Sequence, residues 1–249
     1  MRTLLTIGCC WLLTLPAAAQ TLPRWGLTTF YTYEALNEQH PAWHVGYLGL
    51  QRRFARQTLI ADVTTHRRFN RNDVALGLEG WSDLWSGAYG NLRLQYTPEA
   101  RFLPDVEAYV EVYQTVGAWE LALSARPRFF PDDTVPTFGL ALARYEGNWY
   151  LRTRTLLTAL AGHLNWTQTF MARRYRQPPL DFIDLQAGFG RGVEIVDVGP
   201  VLQAVRTYFV AARVQRFVTR TLGLSVGLSY SNDDLFTRRG LSLGLLHRW

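Results

Sequence analysis

The chain predicts an all-β fold, a transmembrane antiparallel up-and-down β-barrel, on three observations. The last nine residues alternate strictly, with Leu241, Leu243, Leu245, His247 and Trp249 on one face and Ser242, Gly244, Leu246 and Arg248 on the other. A closing strand that ends in an aromatic residue suits a sheet whose last strand pairs with its first and leaves no edge to lipid. At the other end, Arg2, the apolar run Leu4 to Leu15 and the small residues Ala17, Ala18 and Ala19 before Gln20 have the form of a secretory signal peptide. That run is too short for the roughly 20 residues of a spanning helix. Between the two ends, apolar residues recur at every second position, which is strand periodicity and not the three-and-four spacing of an amphipathic helix.

The expected division is therefore 1–19 signal peptide and 20–249 outer-membrane barrel. Cys9 and Cys10 fall inside the signal segment, so the mature chain lacks cysteine and with it disulfides and thiolate metal sites. Aromatic residues make up 14% of the chain, which fits the girdles that set a barrel at the two membrane surfaces. The net charge of +6 would raise nucleic acid as a partner, but an exported protein does not meet it. Outer-membrane lipid and lipopolysaccharide are the expected counterparts. All 26 basic side chains are arginine, a residue suited to bidentate pairing with carboxylate or phosphate.

In order, the alternating segments are Trp25 to Glu34, Trp43 to Phe54, Thr58 to Arg68, Val74 to Ser82, Ala88 to Thr97, Asp105 to Thr115 and Ala118 to Arg128. Thr137 to Tyr145, Trp149 to Leu157, His163 to Arg173, Phe182 to Gly190, Val205 to Arg216, Leu222 to Tyr230 and Gly240 to Trp249 follow. The division is clearest in Asp105 to Thr115, where Val106, Ala108, Val110 and Val112 oppose Glu107, Tyr109, Glu111 and Tyr113. The count is about fourteen, falling to about twelve if the hairpins around Thr158 to Gly162 and Arg174 to Leu180 are false. With both termini in the periplasm, the longer connections fall mostly on the outside, among them Ala35 to Ala42, Pro98 to Pro104 and Arg191 to Leu202.

The order of several motifs along the chain resembles the YaiO family of outer-membrane β-barrel proteins. The matching pieces include Gln51-Arg52-Arg53-Phe54, His66-Arg67-Arg68-Phe69, Trp81 to Tyr89 and Glu120 to Arg126. Further along come Ala143 to Leu151, Arg173-Arg174-Tyr175, Gly188-Phe189-Gly190 and the aromatic terminus. The resemblance implies a small barrel of the bacterial outer membrane. It supplies no catalytic residue, substrate or cofactor.

A charge at mid-bilayer costs about 2 to 4 kcal/mol on an outward barrel position. The ionic residues on the strands should therefore line the lumen. The candidate lining is Asp62, His66, Glu79, Arg93, Glu107, Tyr109, Glu111, Tyr113, Glu120, Arg126, Arg152 and Arg154. These residues either pair across strands to fix register or line a passage that selects solutes. Glu107 and Glu111 lie about 13 Å apart along one strand, too far for a glycosidase pair. The histidines are scattered and no Gly-x-Ser-x-Gly elbow occurs; His163 with Asn165 and Thr167 is the most enzyme-like remnant, without a nucleophile. Asp132-Asp133 and Asn232 to Asp234 fall in outer loops, as solvated carboxylates or a calcium site. The tryptophans Trp25, Trp43, Trp81, Trp85, Trp119, Trp149 and Trp166 read as interfacial anchors.

The reading is a monomeric, porin-like, non-enzymatic barrel of the cell envelope, without metal or cofactor, serving as a structural protein or small-solute channel. Its alternatives are an accessory barrel in envelope polysaccharide export and, third, a lipid-modifying enzyme. The C-terminal strand ending in Trp249 is the expected contact with the barrel-assembly machinery.

Overall fold

The computed structural model describes residues 23–37, 40–177, 180–197 and 201–249. The segment read as a signal peptide lies outside the described residues. Strands run Trp25–Leu36 (β1), Trp43–Arg53 (β2), Gln57–Arg68 (β3), Arg71–Asp83 (β4), Ala88–Tyr96 (β5), Val106–Val116 (β6) and Trp119–Phe129 (β7). They continue Thr134–Glu146 (β8), Trp149–Leu160 (β9), His163–Gln177 (β10), Asp181–Asp197 (β11), Val201–Phe217 (β12), Leu222–Asp233 (β13) and Thr237–Arg248 (β14). Each pairs antiparallel with its sequence neighbours, and β1 pairs with β14 from Gly26↔Arg248 to Leu36↔Arg238, closing a 14-stranded barrel. Trp249 completes the seam: its carbonyl accepts the Trp25 N–H at 3.0 Å and its own N–H donates back at 3.1 Å.

The burial pattern is inverted relative to a soluble protein. Leu78, Leu123 and Leu228 are 57%, 61% and 62% exposed, whereas Asp184, Glu111 and Glu120 are 1%, 3% and 3% exposed. Water would not tolerate so continuous an apolar exterior, which excludes a β-sandwich and leaves lipid as the solvent of the outer face.

Small inner-face residues let the sheet accept bulky neighbours. Phe30 lies opposite Gly244 in register, and its ring occupies the space a Cβ at Gly244 would take. Such pairs cover an otherwise bare backbone with an aromatic ring.

The expected ends of β11 and β12 are corrected by the structure. The alternation stops near Gly190, but the ladder continues from Gly190↔Thr207 to Ile195↔Leu202, so most of the segment read as a long loop is a hairpin extension. Past the membrane, no lipid enforces one apolar face, and the pattern that reveals a strand disappears while its hydrogen bonds persist. Gly190 marks the transition with φ +145°, and a Cβ there would lie 2.7 Å from the Thr167 Cα. Gly190→Ala should destabilise the barrel by about 1 to 3 kcal/mol through backbone strain and crowding, read as a lower midpoint in urea unfolding from lipid vesicles.

At the end opposite the termini, Phe69 and Asn70 form a tight turn with φ of 51° and 57°. Asn tolerates this conformation; Phe does not do so readily. The turn places the Phe69 ring inside the barrel mouth.

Candidate lumen site

The barrel interior contains a connected set of arginines, carboxylates and tyrosines on the β3 to β9 wall. On β3 to β5, Arg93 grips Asp62 with both terminal nitrogens at 2.7 and 2.8 Å and reaches Glu79 at 3.2 Å. Glu79 also accepts from the Trp81 indole at 2.6 Å and from Asn91 at 3.1 Å. Arg93 and Asp62 sit two strands apart, and the intervening inner position is Gly77, where a Cβ would lie 2.7 Å from the Arg93 guanidinium. The glycine makes this bidentate pair possible.

The second group centres on Glu111. Arg152, three strands away on β9, donates to it at 2.6 Å, with Arg154 at 3.8 Å. Tyr109 donates to the other oxygen at 2.5 Å, and Tyr113 also donates to it. Arg154 donates further to Ser124 at 2.8 Å and Tyr109 at 3.2 Å. Buried Ala122 and Ala141 occupy inner positions on the strands between and leave room for the long side chains. Arg126 pairs with Glu107 at 2.8 Å and keeps half its side chain exposed.

Toward the end that carries the termini, Glu120 accepts from Tyr89 at 2.7 Å and Tyr150 at 2.8 Å, so tyrosine and not arginine holds it. Tyr89 stacks on Tyr113 with centroids 4.4 Å apart, and Trp81 leans on both. Eleven of the twelve residues predicted for the lumen thus fall into four adjoining groups. His66 stands apart, opposite Asp73 in register.

Residues that the sequence reading missed complete the interior. Asp184 receives Arg173 and Arg213, each at 2.9 Å, and both guanidinium groups lie over Phe182. Tyr89, Tyr150, Asn91 and Trp81 are also part of the network. Their inward parity was available in the alternation, but tyrosine and tryptophan fit both the lumen and the membrane girdle. Two tryptophans read as interfacial anchors are corrected accordingly: Trp81 faces the lumen, and Trp43 is 1% exposed beneath Arg68 and Arg238. Trp119, Trp149 and Trp166 sit exposed on the outer wall, and Trp85 is exposed in the β4–β5 turn.

The mouth opposite the termini is spanned from side to side by contacts among the described residues. Ala75, Phe102, Leu103, Phe130, Val135 and Ile195 form one buried apolar cluster, with Phe69, Leu160, Val193 and Leu202 packed against it. Ala75 belongs to β4 and Ile195 to β11, which lie seven strands apart around a fourteen-stranded ring and hence on opposite walls; Val135 of β8 and the connections that carry Phe102, Leu103 and Phe130 fill the space between. Rings of Phe236, Trp43, Phe69 and Phe102 adjoin in sequence at 5.3, 5.5 and 6.1 Å. Glu194 on β11 ties the same walls together, at 3.6 Å from Arg68 of β3 and 3.0 Å from Arg238 of β14. The 97–105 connection is held inside by Asp73, whose carboxylate accepts the backbone N–H groups of Arg101, Phe102 and Leu103 at 2.9 to 3.1 Å. Several segments share the span, and no single loop makes it. Asp233, considered above as a calcium ligand, spends its oxygens on the Leu235 and Phe236 N–H groups and on Arg238.

A closed cylinder of fourteen antiparallel strands, oily outside and ion-paired within, defines a bacterial outer-membrane β-barrel protein. The YaiO membrane β-barrel domain matches residues 26–193, and the chain belongs to that family. No curated protein sequence matches it. Among solved structures it is similar to the CymD monoaromatic hydrocarbon channel, with TM-score 0.61 and 5% identity over 92% of this chain and 90% of that one. It is also similar to the Acinetobacter baumannii outer membrane protein Omp33, with TM-score 0.56 and 10% identity over 92% and 99%. A bacterial polysaccharide outer membrane secretin follows, with TM-score 0.54 and 9% identity over 92% and 99%. At such identities these likenesses establish the fold alone. Residence in the outer membrane places the short turns beside the termini in the periplasm and the spanned mouth outside.

Proposed function

We propose that this protein is a non-enzymatic, monomeric outer-membrane channel for small solutes, held shut at its extracellular mouth. The observation that carries this reading is the asymmetry of the lumen. The β3 to β9 wall bears the larger ionic network and β10 to β12 the Asp184 pairs, whereas the arc from β13 to β1 bears mostly short neutral groups such as Ser225, Gly227, Ser242, Gly244 and Thr28, with the Phe30 ring over Gly244. Short hydroxyl side chains and glycines favour a polar passage beside the charges, with closure assigned to the apolar mouth.

Glu111 and Glu120 are each held by two or more arginine or tyrosine donors and Glu107 by Arg126, an arrangement that fixes position and opposes proton transfer. Lipid and lipopolysaccharide surround the barrel in this reading, and the assembly machinery recognises the strand ending in Trp249. In planar bilayers the wild-type protein should show rare stepwise openings. Arg126→Glu, which reverses the most exposed guanidinium of the network, should shift the reversal potential toward cations. Silence at every voltage, even in a variant with a released mouth, would refute the channel.

A further inference from the structure

The outer wall is not uniform. Strands β10, β11 and β12 turn Ala172, Ala187 and Ala212 toward lipid, while the outward positions beside them hold Phe170, Leu185 and Val210. Register places Leu151, Ala172, Leu185 and Ala212 in one cross-strand row and Thr153, Phe170, Ala187 and Val210 in the next. Short side chains between tall ones leave a depression of about 940 Å³ that starts at Trp119 and Arg144 and ends beside Leu228 and Tyr230. Crossing from β8 to β13 in steps of about 4.8 Å makes it roughly 24 Å long, enough for an extended fatty-acyl chain.

Arg144 lines its periplasmic end, and Glu146 and Arg174 lie just beside that end, outside the lining. Arg144 lies opposite Trp119 in register with its guanidinium 5.2 Å from the ring, and Arg174 lies likewise opposite Trp149 at 5.6 Å. In both pairs the tryptophan is the first residue of a strand leaving a periplasmic turn, which sets the cations at headgroup depth. Arg144 shares its charge with Glu146 at 2.6 Å, both well exposed, and Arg174 has no ion pair among the described residues. Two guanidinium groups and one carboxylate complement a headgroup that carries a phosphate and an ammonium.

We propose that this groove is a specific site for a periplasmic-leaflet phospholipid of the phosphoethanolamine type. Its phosphate is held by Arg144 and Arg174, its ammonium by Glu146, and one acyl chain lies over Ala172, Ala187 and Ala212. The site lies on the outer wall and is independent of whether the lumen conducts.

Native mass spectrometry of the detergent-purified full-length barrel, titrated with phosphatidylethanolamine, tests the site. One lipid should be retained per barrel, with affinity falling at least tenfold in Ala187→Phe and in the Arg144→Gln, Arg174→Gln double variant, and unchanged in Ala125→Leu, which lies on the outer wall beyond the groove. Ala212→Leu gives the same reading should Ala187→Phe fail to fold. Undiminished retention in the groove-filled variants, no retained lipid, or a barrel dimer in its place would overturn the proposal. Equal retention of phosphatidylglycerol would overturn the assignment of Glu146.

Discussion

Replacing Arg93 by alanine should lower the unfolding free energy of the barrel by about 3 to 5 kcal/mol, the cost of leaving a buried carboxylate without its cation. The Asp62 side chain has no solvent exposure, and Arg93 supplies both of its charged hydrogen bonds while neutralising Glu79. Truncation would strand two carboxylates, Asp62 opposite Gly77 and Glu79 two residues along the same strand as that glycine. Urea-dependent folding into lipid vesicles at neutral pH measures the loss. A second arm separates the pair from its absence: Asp62→Asn in the Arg93→Ala background should recover a large part of the stability, because the orphan charge is then gone. A loss below about 1 kcal/mol would show that water solvates this part of the lumen as it does a surface pair.

Asp73→Ala should open the mouth. The carboxylate is 2% exposed and is the hydrogen-bond partner of three consecutive N–H groups in the 97–105 connection. Buried N–H groups left unsatisfied cost about 1 to 3 kcal/mol each, so the segment should leave the mouth for water and withdraw Phe102 from the apolar cluster. Two measurements report this. Trypsin should cleave after Arg101 in the folded variant and not in the wild-type barrel, since cleavage requires local release of the backbone. In planar bilayers the fraction of time spent open should rise at least tenfold, because the ring contact from Phe69 to Phe102 no longer spans the mouth. Resistance to trypsin together with unchanged conductance would mean that Phe130, Val135 and Ile195 hold the closure without this loop.

The candidate site was only partly legible. Parity along each strand shows that Glu107, Glu111, Arg152 and Arg154 point away from lipid, and the structure places all four inside. It could not show that Glu111 meets arginines of β9 while Glu120, on the adjacent strand, is held by tyrosines. Glu120 and Arg126 share a face of β7, yet Arg126 turns to Glu107. Such partnerships depend on how far each strand is offset from the next, which accumulates over three or four strands before two side chains meet. Gly77, Ala122 and Ala141 were the available signal: small inward residues beneath which long ones must cross.

The sequence by itself determined the face that the charged and aliphatic strand residues take, and therefore the all-β barrel and the membrane that surrounds it, while the closed ladder settled the count at fourteen and not twelve. Lipid rejects charge at every second position, and that rule is local enough to read one strand at a time. The tertiary structure alone decided the ion-pair partners, the hidden continuation of β11 and β12 beyond Gly190, and the apolar cluster that spans the mouth. These rest on contacts between residues far apart in the chain, such as Arg68 with Glu194 across the ring, where no periodic rule relates one segment to the other.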